Sequence, residues 1–491
     1  MQAITAKPSK ALGFTTLFLI EMWERFGYYG MTAVIVVYMV QQLGYTDDRA
    51  NLTFGAFTAM AYAVPAIGGW VGDKILGTRR TLLVGAAILA IGYSMLAIPN
   101  DSLHLLFASM AVIVVGNGLF KANAGNMVRR IYEGEDARID SAFTLYYMAV
   151  NIGSTMSILL APWIKDYWGW HAAFAVCCAG MIIGLCNYIF MMRALTGIGS
   201  PPDQEPLRRD RLALVLCVGL VALFGVAFVI QHREIAVACV YVAAIVMLGI
   251  FGYMIANGEK KERAGLIAAL ILVVETLLFF IFYQQMSTSL TLFALRNVDW
   301  NQTLFGVNLF TWSAAQYQAL NPIWIMLLSP LLAWIYRHRG KRGRDLPIAA
   351  KFAIGFAVVA IGFFIFGGSG AMAENGKVSS WFMIWGYGFY SLGELLVGAL
   401  GLAMISRYVP LRMSGFMMGA YFVAIGISQY LGSVVANYAS IPENIADPLA
   451  SLAIYTKLFN HLGLLAIGGT LLAVLLLPLM KRLSIKKDGS D

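Results

Sequence analysis

Six ionisable side chains stand where a chain least tolerates them. Glu21, Glu24, Arg25, Lys121, Glu275 and Glu394 all lie well inside long apolar stretches. On insertion scales an intramembrane charge costs at least about 2.5–3.5 kcal/mol, and such residues are functional by default. Glu21, Glu24 and Arg25 are spaced i, i+3 and i+4, so they share one helical face, and Tyr28 is another turn along it. Arg25 can thus be held by carboxylates of its own helix while it points into a cavity. The plainer account is an ion cluster that only pins helices together. The group contains four acids and two bases, which leaves two carboxylates without a cation. In an apolar setting an unpaired carboxylate is cheapest as the neutral acid. The set is therefore suited to proton coupling, and no comparable cluster of oxygen ligands for sodium is apparent.

Uncharged polar residues occupy the same depth: Tyr28, Tyr29, Tyr146, Tyr147, Asn151, Gln284, Gln285 and Asn321. Each needs a hydrogen-bond partner in apolar surroundings. For any one of them, holding helices together explains its presence as well as substrate contact does. With charges of both signs, they outline a site for a zwitterion: a cation for a carboxylate, an anion for an ammonium, amides for a peptide bond. His104, His171, His232, His338 and His461 fall at span ends or in loops and read as interfacial residues. Cys177, Cys178, Cys186, Cys217 and Cys239 fall in apolar spans without zinc spacing and read as small packing residues. No Walker A sequence, nucleophile elbow or HExxH occurs. Neither catalysis nor ATP hydrolysis is expected, and no metal or cofactor is called for.

The elements that position these residues follow from composition. Of 491 residues 59% are hydrophobic and 12% charged, against about 25% charged in soluble domains. The mean hydropathy is +0.72. A bilayer can solvate that much apolar surface. Spans of about 20 residues are expected near 12–41, 52–77, 80–98, 103–123, 138–163, 170–194, 210–230, 235–256, 263–296, 313–337, 347–368, 380–407, 411–437 and 454–481. They are apolar throughout, unlike the alternating strands of a membrane barrel. The fold class is all-α and membrane-embedded. The first run is too long, and too charged, for a cleavable signal peptide and is expected to remain as the first helix.

Loops alternate in charge. One set holds Lys74, Arg79, Arg80, Arg129, Arg130, Arg193, Arg208, Arg209, Arg211, Lys260, Lys261, Arg263, Arg337, Arg339, Lys341, Arg342, Arg344, Arg407, Arg412 and the tail lysines. The other holds mostly Asp47, Asp48, Asp101, Asp299, Glu374, Glu443 and Asp447. By the positive-inside rule both termini are cytoplasmic. The net charge of +9 belongs to this pattern, and no nucleic-acid partner is expected. Six spans precede the Gly/Pro-containing linker Thr196–Asp210 and six follow Arg263. Two nearly featureless spans lie between. The expected organisation is a six-helix bundle over 1–194, a linker and inserted helix pair over 195–262, and a second six-helix bundle over 263–491. Transporters built from two repeated bundles bind substrate near the midplane between them. Gly180-x-x-x-Gly184 and Gly415-x-x-x-Gly419 read as packing signals.

The segment Gly69-x-x-x-Asp73-Lys74-x-x-Gly77-x-Arg79-Arg80 resembles the loop between helices two and three of the major facilitator superfamily. Glu21-Met-Trp-Glu24-Arg25-Phe26-Gly-Tyr28-Tyr29-Gly30 resembles the ExxERFxYYG motif of proton-dependent oligopeptide transporters within it. Tyr146-Tyr147-Met-Ala-Val-Asn151-Ile-Gly153-Ser154 resembles the FYxxINxGS signature, with Tyr146 in place of the leading Phe. Gly68-Gly69-Trp70, Gly118-Leu-Phe-Lys121-Ala-Asn123 and Ser391-Leu-Gly393-Glu394-Leu also look like family segments. The likeness covers nearly the whole chain and is greatest to bacterial permeases of dipeptides and tripeptides. It implies a major facilitator fold and proton symport of dipeptides and tripeptides into the cell across the inner membrane, driven by the proton gradient. It also implies that Asp73 accepts from helix N-termini. Arg25 and Lys121 would hold the peptide's carboxylate and Glu394 its ammonium. Tyr28, Tyr29, Tyr147, Asn151 and Asn321 would contact backbone or carboxylate. Glu21, Glu24 and Glu275 would couple protons. Animal members use a His in the second helix. This chain has none there, so proton entry would rest on carboxylates. The competing expectation is a same-fold carrier of nitrate or another anion, against which the carboxylate of Glu394 argues.

Overall fold

The computed structural model describes residues 9–133, 136–340, 342, 346–409, 413–442 and 447–488. Of the loop charges named above, Lys341, Arg344, Arg412 and Glu443 lie outside them, as do the side chains of Lys260, Lys261, Arg407, Lys486 and Lys487. Long helices follow one another along the chain. They are α1 (Lys10–Gln41), α2 (Asp47–Lys74), α3 (Thr78–Ala97), α4 (Leu103–Ile131), α5 (Asp136–Trp168), α6 (Trp170–Met191) and α7 (Arg209–Gln231). After these come α8 (Arg233–Asn257), α9 (Glu262–Asn297), α10 (Leu320–Gly340), α11 (Ile348–Gly368), α12 (Trp381–Tyr408), α13 (Ser414–Ala436) and α14 (Pro448–Asp488). Among the described residues twelve spans are long and apolar enough to cross a membrane. The other two long helices, α1 and α12, have 32 and 28 residues; α1 carries the buried charges Glu21, Glu24 and Arg25, and α12 the partly buried Glu394. In α1 the charges Glu21, Glu24 and Arg25 lower the mean hydropathy.

Several helices outrun their apolar stretch. The helix α4 continues to Ile131, so Arg129 and Arg130 ride on its last turn and are not in a loop. This suits cations at a helix C-terminus. Two spans are broken inside. In α2, Asp47–Ala63 and Pro65–Lys74 are separate helices joined at Val64. In α9 the helix stops at Gln284 and restarts at Ser289. Between α9 and α10 the chain forms a two-stranded antiparallel hairpin, β1 (Asn301–Leu304) with β2 (Val307–Thr311). Its two-residue turn has Phe305 at φ 50° and Gly306 at φ 80°, the sense of twist that tight hairpins favour. Hydropathy alone carried no sign of this hairpin.

The chain divides into two compact units. The first is Met1–Ile35 with Met60–His232, the second Val36–Ala59 with Arg233–Asp491. In the first, α4 is central and packs on α2, α3 and α7, while α6 packs on α3 and α5. A Cβ on Gly68 of α2 would lie 1.9 Å from the Gly118 carbonyl oxygen of α4, so these two helices touch backbone to backbone. Gly180 and Gly184 of α6 face the Phe26 and Trp23 side chains of α1, the packing use expected of that spacing. In the second unit α9 packs on α12, α13 and α14, and α11 on α12 and α14. The featureless pair separates between the units: α7 packs on α4, and α8 packs on α9 and α13.

The linker is built onto the first unit. Among the described residues Asp73 does not accept from a helix N-terminus: its Oδ1 accepts from Asn126 Nδ2 at 3.0 Å and Arg130 Nη2 at 3.0 Å, both on α4. The N-terminus of α3 is served instead by the linker. Asp203, in the one-turn helix Pro201–Gln204, accepts from the Arg79 amide at 3.0 Å and the Arg80 amide at 3.4 Å. Ser200 Oγ accepts from the Thr78 amide at 2.9 Å and donates to the Gly72 carbonyl at 2.6 Å. Gly77, at φ 101°, leaves room for the Asp203 carboxylate, which would sit 2.2 Å from a Cβ there. Motif resemblance pointed to the nearer aspartate, and the capping one comes from about 120 residues away. Asp203→Ala is expected to strand the two α3 amides and cost about 0.5–2 kcal/mol, the usual loss for a removed cap. Thermal melting of the purified protein in detergent checks this, and an unchanged midpoint would show that the linker does not cap α3.

Candidate substrate and proton sites in the two units

In the first unit the site is built on α1. The Arg25 side chain, 3% exposed, sits between the two carboxylates of its own face. Its Nε donates to Glu24 Oε2 and lies 3.4 Å from Glu21 Oε1. Glu21 Oε2 accepts from the Tyr146 hydroxyl of α5 at 2.5 Å. On the other side Arg25 Nη2 donates to Asn117 Oδ1 of α4 at 3.3 Å. The guanidinium also lies over the Tyr28 ring, 5.2 Å from its centroid. Tyr28 and Tyr29 meet edge to face at 5.5 Å. Lys121 is within electrostatic range of Glu21, Glu24 and Arg25 and stands 4.2 Å over the Tyr62 ring of α2, a cation–π contact. The structure thus brings Glu21, Glu24, Arg25 and Tyr28 together, as their spacing required; Tyr29 and Lys121, which that spacing did not place, stand beside them.

Asn151 and Tyr147 follow a different course on α5. Asn151 Nδ2 donates to the Tyr147 carbonyl at 2.8 Å, and the Tyr147 ring is 40% exposed. Through Tyr146, α5 reaches the Arg25 cluster.

The second unit holds the remaining acids. Asn321 Nδ2 of α10 donates to Glu394 Oε2 of α12 at 2.6 Å and lies 3.1 Å from Ser391 Oγ. Glu275, on α9, is 4% exposed, and its Oε2 has no hydrogen-bond partner among the described residues. Among those residues neither Glu275 nor Glu394 forms an ion pair. The excess of two acids read from the sequence therefore has an address. Glu21 and Glu24 share Arg25, and Glu275 and Glu394 are the acids without a cation.

Two amides resolve to packing. Gln284 Nε2 donates to Thr58 Oγ1 at 3.3 Å and Ser433 Oγ at 3.0 Å. Gln285 Nε2 donates to the Ile281 and Gly432 carbonyls at 3.0 and 2.8 Å. Both tie α9 to its neighbours. Asn117, Tyr62 and Ser391 were not singled out from the sequence. Asn117 is four residues before Lys121 and on its helical face, which is the signal that could have found it. Among the described residues no group of three or more His, Cys, Asp or Glu is placed to hold a metal.

A family model described as "POT family" matches residues 79–453. The chain belongs to the POT family. Dipeptide and tripeptide permease B of Salmonella typhimurium (strain LT2) is 41% identical over 479 residues, 97% of this chain and 97% of that one. Dipeptide and tripeptide permease A of Escherichia coli (strain K12) is 40% identical over 480 residues, 97% of this chain and 94% of that one. A solved bacterial homologue of the human drug peptide transporters PepT1 and PepT2 is 58% identical with a TM-score of 0.88, over 97% of this chain and all of that one. The chain is a multi-pass membrane protein with the transporter fold of this family.

The Gln284 contacts yield a test that separates packing from substrate contact. Gln284→Leu leaves two buried hydroxyls short of a partner, which is expected to destabilise the protein by about 1–3 kcal/mol. Melting in detergent checks it, and a wild-type midpoint would reopen a substrate role for Gln284.

Proposed function

We propose that this POT-family protein is a symporter that carries dipeptides and tripeptides, with protons, into the cell across the inner membrane by alternating access. The observation that carries the reading is the buried Arg25 held by Glu21 and Glu24, in a chain whose relatives are named dipeptide and tripeptide permeases. The loop charges orient both termini to the cytoplasm. The two six-helix bundles, 1–194 and 263–491, are the parts that alternate, with α7 and α8 as additions outside the twelve core spans. The protein is not an enzyme and uses no cofactor; the proton gradient drives it.

Arg25 and Lys121 hold the peptide carboxylate, Glu394 the ammonium, and Tyr28, Tyr29, Tyr147, Asn151 and Asn321 the peptide backbone. Arg25 presents donors in a planar fork suited to a carboxylate. Asn321, which donates to Glu394, leaves that carboxylate oriented and without a fixed cation, as a site for an incoming ammonium needs. A peptide carboxylate drawing on Arg25 competes with Glu21 and Glu24, and a carboxylate that loses its cation in an apolar helix takes a proton. By linkage, protonation then favours the peptide-bound state. Glu275, already without a cation, serves the same coupling. A simple anion such as nitrate gains nothing from the unpaired Glu394.

Counterflow of a labelled dipeptide in liposomes tests carriage itself: a receptor or enzyme would not exchange label across the bilayer. Arg25→Ala or Lys121→Ala should weaken a dipeptide with a free carboxylate about 10–100-fold, the cost of about 1.5–3 kcal/mol for a charge-assisted bond. Wild-type affinity in both variants would sink that assignment. Glu394→Gln should weaken peptides with a free amino terminus far more than N-blocked ones, whereas equal losses would make Glu394 structural. Glu21→Gln, Glu24→Gln and Glu275→Gln should lose uphill accumulation and keep exchange at equal concentrations. Intact gradient-driven accumulation in all three would defeat the coupling roles.

A further inference from the structure

Arg25 and Lys121 are both braced on the same turn of α2, just before that helix breaks. Lys121 stands over the ring of Tyr62. Arg25 reaches the neighbouring residue through one intermediary: Asn117 Oδ1 accepts from Arg25 Nη2 at 3.3 Å, and Asn117 Nδ2 donates to the Ala61 carbonyl at 2.9 Å. The Ala61 carbonyl is special. In an unbroken helix it would accept from the amide of residue 65, four positions on. Residue 65 is Pro65, which has no N–H. Asn117 supplies the donor that proline withholds. That bond also sets which way the amide faces. Its NH2 is committed to a carbonyl, so its oxygen must be the atom turned to the guanidinium, and the reversed amide would oppose donors to donors at Arg25 and acceptor to acceptor at Ala61. Asn117 is 1% exposed, so neither bond is replaceable by bulk water.

We propose that Asn117 is a positioning residue that locks the aim of Arg25, and hence its grip on a substrate carboxylate, to the proline break of α2. A change of bend at Val64 moves the Ala61 carbonyl, and Asn117 passes that movement to the guanidinium. Tyr62 passes it to Lys121. The carboxylate-holding pair therefore tightens or loosens with α2 as one unit. A carboxamide does this with one group, donating through its NH2 and accepting through its oxygen. Leucine would bond to neither partner, and aspartate would place a second acceptor against the Ala61 carbonyl.

This inference rests on the reading of Arg25 as the carboxylate holder, and the experiment separates the two. KM and kcat for counterflow would be measured in liposomes with a free dipeptide and its C-terminal amide, for Arg25→Ala, Asn117→Leu and the double variant Asn117→Leu with Pro65→Ala. The last gives Ala61 a backbone donor again, so it recovers the melting temperature without recovering the acceptor for Arg25. It also carries the test should Asn117→Leu alone not fold. The expected result is a KM for the free dipeptide raised about fivefold or more in both Asn117 variants. In both, kcat should change less and the amide should be little affected. A wild-type KM in the double variant would reduce Asn117 to a filler for the Ala61 carbonyl and overturn the inference. If Arg25→Ala itself leaves the free dipeptide unaffected, the underlying site assignment fails as well.

Discussion

One constraint governs the first half of this molecule: a permanently charged guanidinium is placed inside an apolar helix, and it must be surrounded by acceptors or the helix does not insert. Taking such a charge out of water costs several kcal/mol even after relaxation. The surroundings answer that need in layers. Glu21 and Glu24 come from Arg25's own helix, which ensures their presence as soon as α1 forms. Asn117 from α4 and, through Glu21, Tyr146 from α5 close the shell. The close approach of α2 to α4 at Gly68 and Gly118 brings Ala61 and Tyr62 within reach of Asn117 and Lys121. The family segments around these glycines are thereby explained physically: they let the backbones approach closely enough for side chains to meet.

On the proposed reading, the same constraint couples a proton to a ligand carboxylate at Arg25. Charges that neutralise each other within the protein can be exchanged for charges brought by a ligand at little change in total. A ligand carboxylate can replace a protein carboxylate at Arg25, provided the displaced one is neutralised by a proton. In the second unit Glu394 has an amide partner and, among the described residues, no cation, so on the proposed reading it takes the ammonium.

Much of this was legible in the sequence, because membrane insertion makes polar residues expensive and therefore informative. The span positions, the shared face of Glu21, Glu24 and Arg25, and the surplus of two acids all follow from one-dimensional spacing. The misses have physical reasons too. The role of Asp203 was invisible because capping of α3 by a linker depends on where the chain returns after three more long helices. The hairpin β1–β2 was invisible because it is a short, exposed excursion with no apolar period of its own. Asn117 was overlooked because a lone amide in an apolar helix reads as packing until its two partners are known. Gln284 and Gln285, equally polar and equally deep, do turn out to be packing. Depth alone does not separate the two cases; the partners do. The apolar faces of α7 and α8, with Val221, Phe224, Tyr241 and Ile245 well exposed, are what lipid-facing helices should show.

The central claim is that peptide and proton cross together because a peptide carboxylate at Arg25 frees carboxylates that must then be protonated. The most direct measurement is internal pH in proteoliposomes loaded with a pH-sensitive dye, with equal pH inside and out, on addition of an unlabelled dipeptide to the outside. The account predicts acidification of the lumen that follows peptide entry, that is absent from protein-free liposomes and that is abolished by a proton-conducting ionophore. Peptide entry with no movement of internal pH would contradict it.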